Sequence, residues 1–145
     1  MSLPAPIEVL PHRAPFLLLD VVSELRLGEG AVGEWHLSGS EEFFLGHFPG
    51  RPTLPGVLML EAIAQLGAYA VLSDPAHAGK LPLFGGVEKA RFRRQVVPGD
   101  TLRLEITLGR MSARAGKGSG RALVGGAVAC EAEILFVFAD ADPDR

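Results

Sequence analysis

Two ionisable residues in this chain are spaced and surrounded in a way that suits proton transfer. His47 lies between Gly46 and Phe48 in a loop shaped by glycine and proline, and Glu61 follows fourteen positions later inside a run of apolar residues. A loop histidine is usually a surface residue and a helical glutamate is usually solvated, so neither alone indicates catalysis. The neighbours of Glu61 change that balance. Leu58, Met59, Leu60, Ala62, Ile63 and Ala64 leave no polar face on which a carboxylate would be at ease. Burial without a partner penalises the charged form and raises its pKa, which suits a proton donor. His47, with a reference pKa of about 6.5, suits a proton acceptor.

The elements that must position these groups follow from the prolines. Pro49, Pro52 and Pro55 fix φ and withhold amide donors, so the segment up to Pro55 is not helix interior. Pro55 is well placed at a helix start, and the sequence predicts one long helix, apolar all round, ending near Ser73-Asp74-Pro75. Gln65 is one turn beyond Glu61 and on its face, where it could hold the carboxylate or a water. Gly56 carries the first free N–H after a proline at a helix N-terminus, a place that attracts negative charge. The alternative for that glycine is close packing alone.

The stretch His47–Gln65, HFPGRPTLPGVLMLEAIAQ, resembles the signature of the 3-hydroxyacyl-[acyl carrier protein] dehydratases of the FabZ type, which have a hot-dog fold. LPHRAPFLLLD at Leu10–Asp20 and KARFRRQVVPGD at Lys89–Asp100 fit the same family, so the likeness runs nearly end to end. It implies that His47 and Glu61 are the catalytic pair, that the Gly56 amide holds the thioester carbonyl, and that the two catalytic residues meet across a dimer, alone or in a trimer of dimers. The substrate it implies is a (3R)-3-hydroxyacyl group on acyl carrier protein, dehydrated to the trans-2-enoyl thioester in fatty acid biosynthesis. Neither a metal nor an organic cofactor is expected. Two other functions share the fold: a hot-dog thioesterase, which would not require the His-Phe-Pro loop, and a non-catalytic acyl-binding subunit of a heteromeric dehydratase, which would not require both His47 and Glu61.

Departures from the family bear on the acyl chain more than on the reacting groups. Ala14, Val21 and Gln95 stand where relatives often carry Tyr, Arg and Pro. The single tyrosine, Tyr69, falls inside the helix, so Phe84 is the expected substitute for an aromatic gate at the acyl tunnel.

With 145 residues and 48% apolar composition the chain has the size of one domain with an ample core. The net charge of −3 argues against a polyanion-binding role. The charge is uneven: residues 1–88 hold four basic and ten acidic residues, and the remainder holds ten and seven. Lys89, Arg91, Arg93 and Arg94 form a basic run suited to an acidic carrier protein, and strand alternation would put the first three on one face and Arg94 on the other. With Phe92 as the lone aromatic among them, nucleic acid is a poorer fit. One cysteine, Cys130, fits a small core residue in a reducing compartment. The opening residues lack the pattern of a signal peptide, and the apolar helix is short and contains Glu61, so a cytoplasmic location is expected rather than a membrane one.

The remaining elements are strands. Phe16–Leu27 and Ala31–Leu37 flank the turn signal Gly28-Glu29-Gly30; Leu102, Leu104, Ile106 and Leu108 alternate with polar residues, as do Ala132, Ile134, Phe136 and Phe138. Leu81–Val97 and Arg121–Ala129 are weaker candidates, Gly116–Gly120 is a candidate hairpin tip, and Ile7–Leu10 a short helical turn. One apolar helix among antiparallel strands predicts an α+β domain with the sheet wrapped round the helix.

Overall fold

The computed structural model describes residues 2–140. In chain order the elements are α1 (Pro6–Val9), β1 (Val21–Arg26), β2 (Gly30–His36), α2 (Phe43–Gly46), α3 (Gly56–Leu72), β3 (Lys80–Phe92), β4 (Thr101–Met111), β5 (Ala115–Val124) and β6 (Ala127–Asp140). The six strands form one antiparallel sheet in the order β1-β2-β4-β5-β6-β3, and the inner face of that sheet packs on α3. This is the hot-dog arrangement that the resemblance implies.

α3 starts and stops where the prolines predict. It is fully enclosed from Ala62 onward, where Ile63, Leu66, Ala68 and Tyr69 meet the inward rows Leu102, Leu104, Ile106 and Ile134, Phe136. Its first turn is less buried than an apolar-all-round helix would be, since Val57 is 66% exposed. Cys130 is a core residue, and burial first and then the Glu131 carboxylate push its thiol up to about 11.

Three sequence expectations need correction. The strand expected over Phe16–Leu27 begins only at Val21, because the Phe16 carbonyl and the Leu18 N–H are occupied by the side chain of Gln65. Gly116–Gly120 is not a hairpin tip but lies in the first half of β5. Gly116, Gly118 and Gly120 are buried and alternate with Lys117 and Ser119; a side chain on Gly120 would run into Ile63 of α3, whereas one on Gly118 would meet Ile106 and one on Gly116 would meet Met111, both of β4, so Gly120 is where helix and sheet approach closely. The tight turn lies instead at Gly125-Gly126, with φ of 57° and 83°, in the middle of the strand expected at Arg121–Ala129. Two consecutive positive-φ residues are what a two-residue hairpin of this twist requires.

β3 forms one edge of the sheet and β1 the other. Two irregularities, between Phe84 and Gly86 and between Glu88 and Arg91, interrupt the pairing of β3 with β6. The first is at Gly85, where a side chain would come within 2.5 Å of Val137. Among the described residues no helix is long and apolar enough to cross a membrane.

Candidate active site

His47 caps the C-terminus of α2 with φ −132° and ψ 70°. The loop after it closes on itself: Phe48 and Arg51 exchange main-chain hydrogen bonds of 3.1 and 2.9 Å, and the Thr53 N–H donates to the His47 carbonyl at 2.7 Å. The His47 ring stacks on Phe48 with centroids 4.1 Å apart. Its Nδ1 lies 2.7 Å from the Thr53 carbonyl oxygen. A carbonyl can only accept, so Nδ1 carries the hydrogen and, in the neutral ring, the lone pair sits on Nε2.

Glu61 is held from behind. Gln65, 1% exposed, accepts from the Leu18 N–H through Oε1 at 2.7 Å, so its amide group must face the other way. That amide donates to the Phe16 carbonyl and to Glu61 Oε2, each at 2.8 Å. Every polar atom of Gln65 is used, and the orientation of the Glu61 carboxyl follows from it. Burial raises the Glu61 pKa above the usual carboxylate range, with the Gln65 hydrogen bond and the charge of His12 offsetting part of that. His12 Nε2 stands 3.6 Å from Glu61 Oε2. Sequence reasoning assigned no role to His12. Its place inside LPHRAPFLLLD, one of the three stretches that carry the resemblance, is the signal that could have found it.

Glu61, His12 and Gln65 border a cleft of 30 Å³ walled by Ala64, Ala68, Pro82, Leu83, Phe84 and Phe136. Phe84, one of these walls, is 45% exposed and adjoins the first β3 irregularity. Gly56 is the first residue of α3, and its N–H finds no acceptor among the described residues. Its missing side chain also has a packing reason, since a Cβ there would come 2.7 Å from the ring of Phe92. Both explanations of Gly56 therefore have an observation behind them.

The structure brings Glu61, Gln65 and Phe84 together, but not His47. Among the described residues no hydrogen bond or ion pair joins His47 to Glu61, and His47 does not border the cleft. The other histidines are elsewhere: His36 Nδ1 is 2.8 Å from the Thr101 hydroxyl, and His77 packs on Phe138.

The basic run is more divided than strand alternation predicts, because the second irregularity, with Lys89 at φ 53°, breaks the period and β3 ends at Phe92. Lys89 pairs with Glu133 at 3.4 Å and Arg93 with Glu131 at 2.6 Å. Arg91 and Arg94 form no ion pair among the described residues. A hollow of 520 Å³ opens beside Lys89, Glu105, Arg121 and Glu131, yet all four of those charges pair with neighbours across β3 and β6 or with each other.

A family model described as a FabA-like domain matches residues 10–133. The chain is 57% identical over 128 residues to a 3-hydroxyacyl-[acyl-carrier-protein] dehydratase FabZ from Moorella thermoacetica, covering 88% of this chain and 90% of that protein. It is 58% identical over 132 residues to the protein of the same name from Chloroflexus aggregans, covering 91% and 92%. Among solved structures it is similar to a dehydratase heterocomplex, ApeI:P, from Xenorhabdus doucetiae, with a TM-score of 0.84 and 20% identity over 96% of this chain and 93% of that one. At that identity the likeness concerns the fold.

Proposed function

Because the chain belongs to the FabA-like family, and within it to the FabZ-type 3-hydroxyacyl-[acyl-carrier-protein] dehydratases of fatty acid biosynthesis, we propose that it dehydrates its substrate with His47 as base and Glu61 as acid. The substrate is a (3R)-3-hydroxyacyl thioester on acyl carrier protein. The observation that carries the assignment is the Glu61 carboxyl, held by a buried glutamine at an apolar cleft.

The chemistry needs three things at once. A C2 proton beside a thioester is weakly acidic, so its removal requires a base and a donor for the oxygen that gains charge. His47 Nε2 accepts the C2 proton while the Gly56 N–H, at the positive end of α3, donates to the thioester oxygen. The electrons then form the C2–C3 double bond and expel the C3 hydroxyl, which takes a proton from Glu61 and leaves as water. Since Oε2 already accepts from Gln65, the transferable proton rides on Oε1. Glu61 regains a proton and His47 loses one before the next turnover.

His47 and Glu61 of one chain are apart, which supports a site composed from two chains, in a homodimer or a trimer of dimers. The cleft in one chain has room for little more than water. An acyl chain enters when Phe84 swings or a second chain completes the wall. The carrier protein docks on the cationic end of β3, where Arg91 and Arg94 have no carboxylate partner among the described residues and Lys89 and Arg93 are tied to Glu133 and Glu131. Residues 1–145 act as one unit, and a reducing cytoplasm suits the thiol Cys130.

The test is the intact mass of 3-hydroxyacyl carrier protein after incubation with the purified chain. Loss of one water is the expected result. Release of the free acid would make the protein a thioesterase, and an unchanged mass would make it a binding subunit.

A further inference from the structure

We infer that Gln95 is a positioning residue for the catalytic base: its side-chain amide holds Thr53, and Thr53 holds His47. The inference rests on the dehydratase assignment above and adds to it a residue that contacts no reacting atom.

The bonds of the His47 loop fall into two kinds. The Phe48–Arg51 pair, the Thr53 N–H to His47 carbonyl bond and the His47 Nδ1 to Thr53 carbonyl bond all stay within the loop. They make it a closed unit, but they do not aim that unit at anything. Among the described residues two hydrogen bonds join it to other parts of the chain, both to the segment that leaves β3. The Leu54 N–H donates to the Val96 carbonyl at 2.8 Å, and Gln95 Nε2 donates to the Thr53 hydroxyl at 2.5 Å. The loop is also continuous with α2 and α3 at its ends, so what these bonds add is local: the main-chain bond holds Leu54, and the side-chain bond to the Thr53 hydroxyl restrains the residue whose carbonyl faces the His47 ring.

That carbonyl is the group that takes the Nδ1 hydrogen of His47. Were the carbonyl to turn away, the neutral ring could place its hydrogen on Nε2 instead, and Nε2–H has no lone pair with which to accept a proton from C2. The anchor on which Gln95 stands is itself secured: the Arg93 N–H donates to the Ala129 carbonyl at 2.7 Å, and the Arg93 guanidinium pairs with Glu131. Gln95 is exposed, so its hydrogen bond competes with water and a modest effect is expected.

The experiment is a double-mutant cycle on the full chain, with Gln95→Ala, Thr53→Val and the pair, each compared with wild type on a 3-hydroxyacyl thioester. Thr53→Val keeps the branched shape and removes the hydroxyl. Each single variant is expected to lower kcat about three- to tenfold with KM little changed, and the double variant to be no slower than the slower single one. Nitrogen NMR of the His47 ring should show mixed tautomers in Gln95→Ala where wild type shows Nδ1–H alone, and Gln95→Glu, whose carboxylate can accept from the Thr53 hydroxyl, should recover part of the rate. Wild-type kcat and an unchanged tautomer in Gln95→Ala would overturn the inference, as would multiplicative losses in the double variant. Because the NMR signal does not depend on turnover, failure of the dehydratase assignment itself would appear separately, as an inactive wild-type protein with the tautomer effect intact.

Discussion

The proposed mechanism has Glu61 give up a proton, a role favoured by surroundings that penalise its charge, and those surroundings cost the fold something. The cost has a pH dependence whose sign can be worked out. Burial raises the folded-state pKa above the unfolded value of about 4.3, so below that value both states are protonated and no penalty exists. As pH rises through the raised pKa the folded state loses the advantage of binding its proton more tightly. Glu61→Gln, which can still accept the Gln65 hydrogen bond, should therefore melt higher than wild type at neutral pH. That gain should vanish near pH 4 in thermal scans. The same variant, and His47→Ala, should each lose roughly a hundredfold or more in kcat while keeping the circular dichroism of the wild type. Gln65 carries the opposite sign. Replacing it with Leu orphans the Leu18 N–H and the Phe16 carbonyl, at a cost of about 2–4 kcal/mol in denaturant unfolding.

At the scale of elements, α3 is the part most visible in the sequence, because prolines mark both of its ends and its apolar run has no polar face. β4 and β6 were legible through period-two alternation. What pattern alone misplaces is informative. The glycines of β5 look like a turn, yet each has a crowded place in the sheet: Gly120 lies against Ile63 of α3, and Gly116 and Gly118 lie against Met111 and Ile106 of the neighbouring strand. The shortened β1 was illegible for a different reason: the competitor for its main chain is a side chain forty-seven positions away from Leu18. His12 meets Glu61 only through the path of the loop before β1, which no local spacing encodes. Close crossing also makes a prediction at Gly67, where a Cβ would come 2.5 Å from the buried ring of Phe136. Alanine favours the helix by about 1 kcal/mol over glycine, but overpacking costs about 1–3 kcal/mol. The ring is buried and the 30 Å³ cleft it borders is too small to receive it, so Gly67→Ala should destabilise the protein in chemical denaturation, and Phe136→Leu in that background should recover part of the loss.

At the scale of the molecule, the single chain leaves a long edge strand and a ring of apolar side chains uncovered. Leu83, Phe84, Val87 and Phe92 of β3 and Val57 of α3 are each more than 40% exposed. Such an edge invites pairing with another strand, and a second chain would cover it. Docking of the carrier protein is expected at the same end of β3. Charge reversal at Arg91 and Arg94 should raise KM for the carrier-protein substrate and weaken its salt dependence, with little change for a coenzyme A thioester. Reversal at Lys89 and Arg93 should do less, since Glu133 and Glu131 already neutralise them. An equal loss with both substrates would place the arginines in the site or the fold instead.

The proposed composite site makes its strongest demand on paired inactive chains. His47→Ala supplies an intact Glu61, and Glu61→Gln supplies an intact His47. After subunit exchange in an equal mixture, half of the dimers are mixed and each mixed dimer has one complete site, so about one quarter of the wild-type dehydration rate should return. If exchange is demonstrated by mass and the mixture stays as inactive as its components, His47 and Glu61 do not meet across two chains, and a composite active site is ruled out.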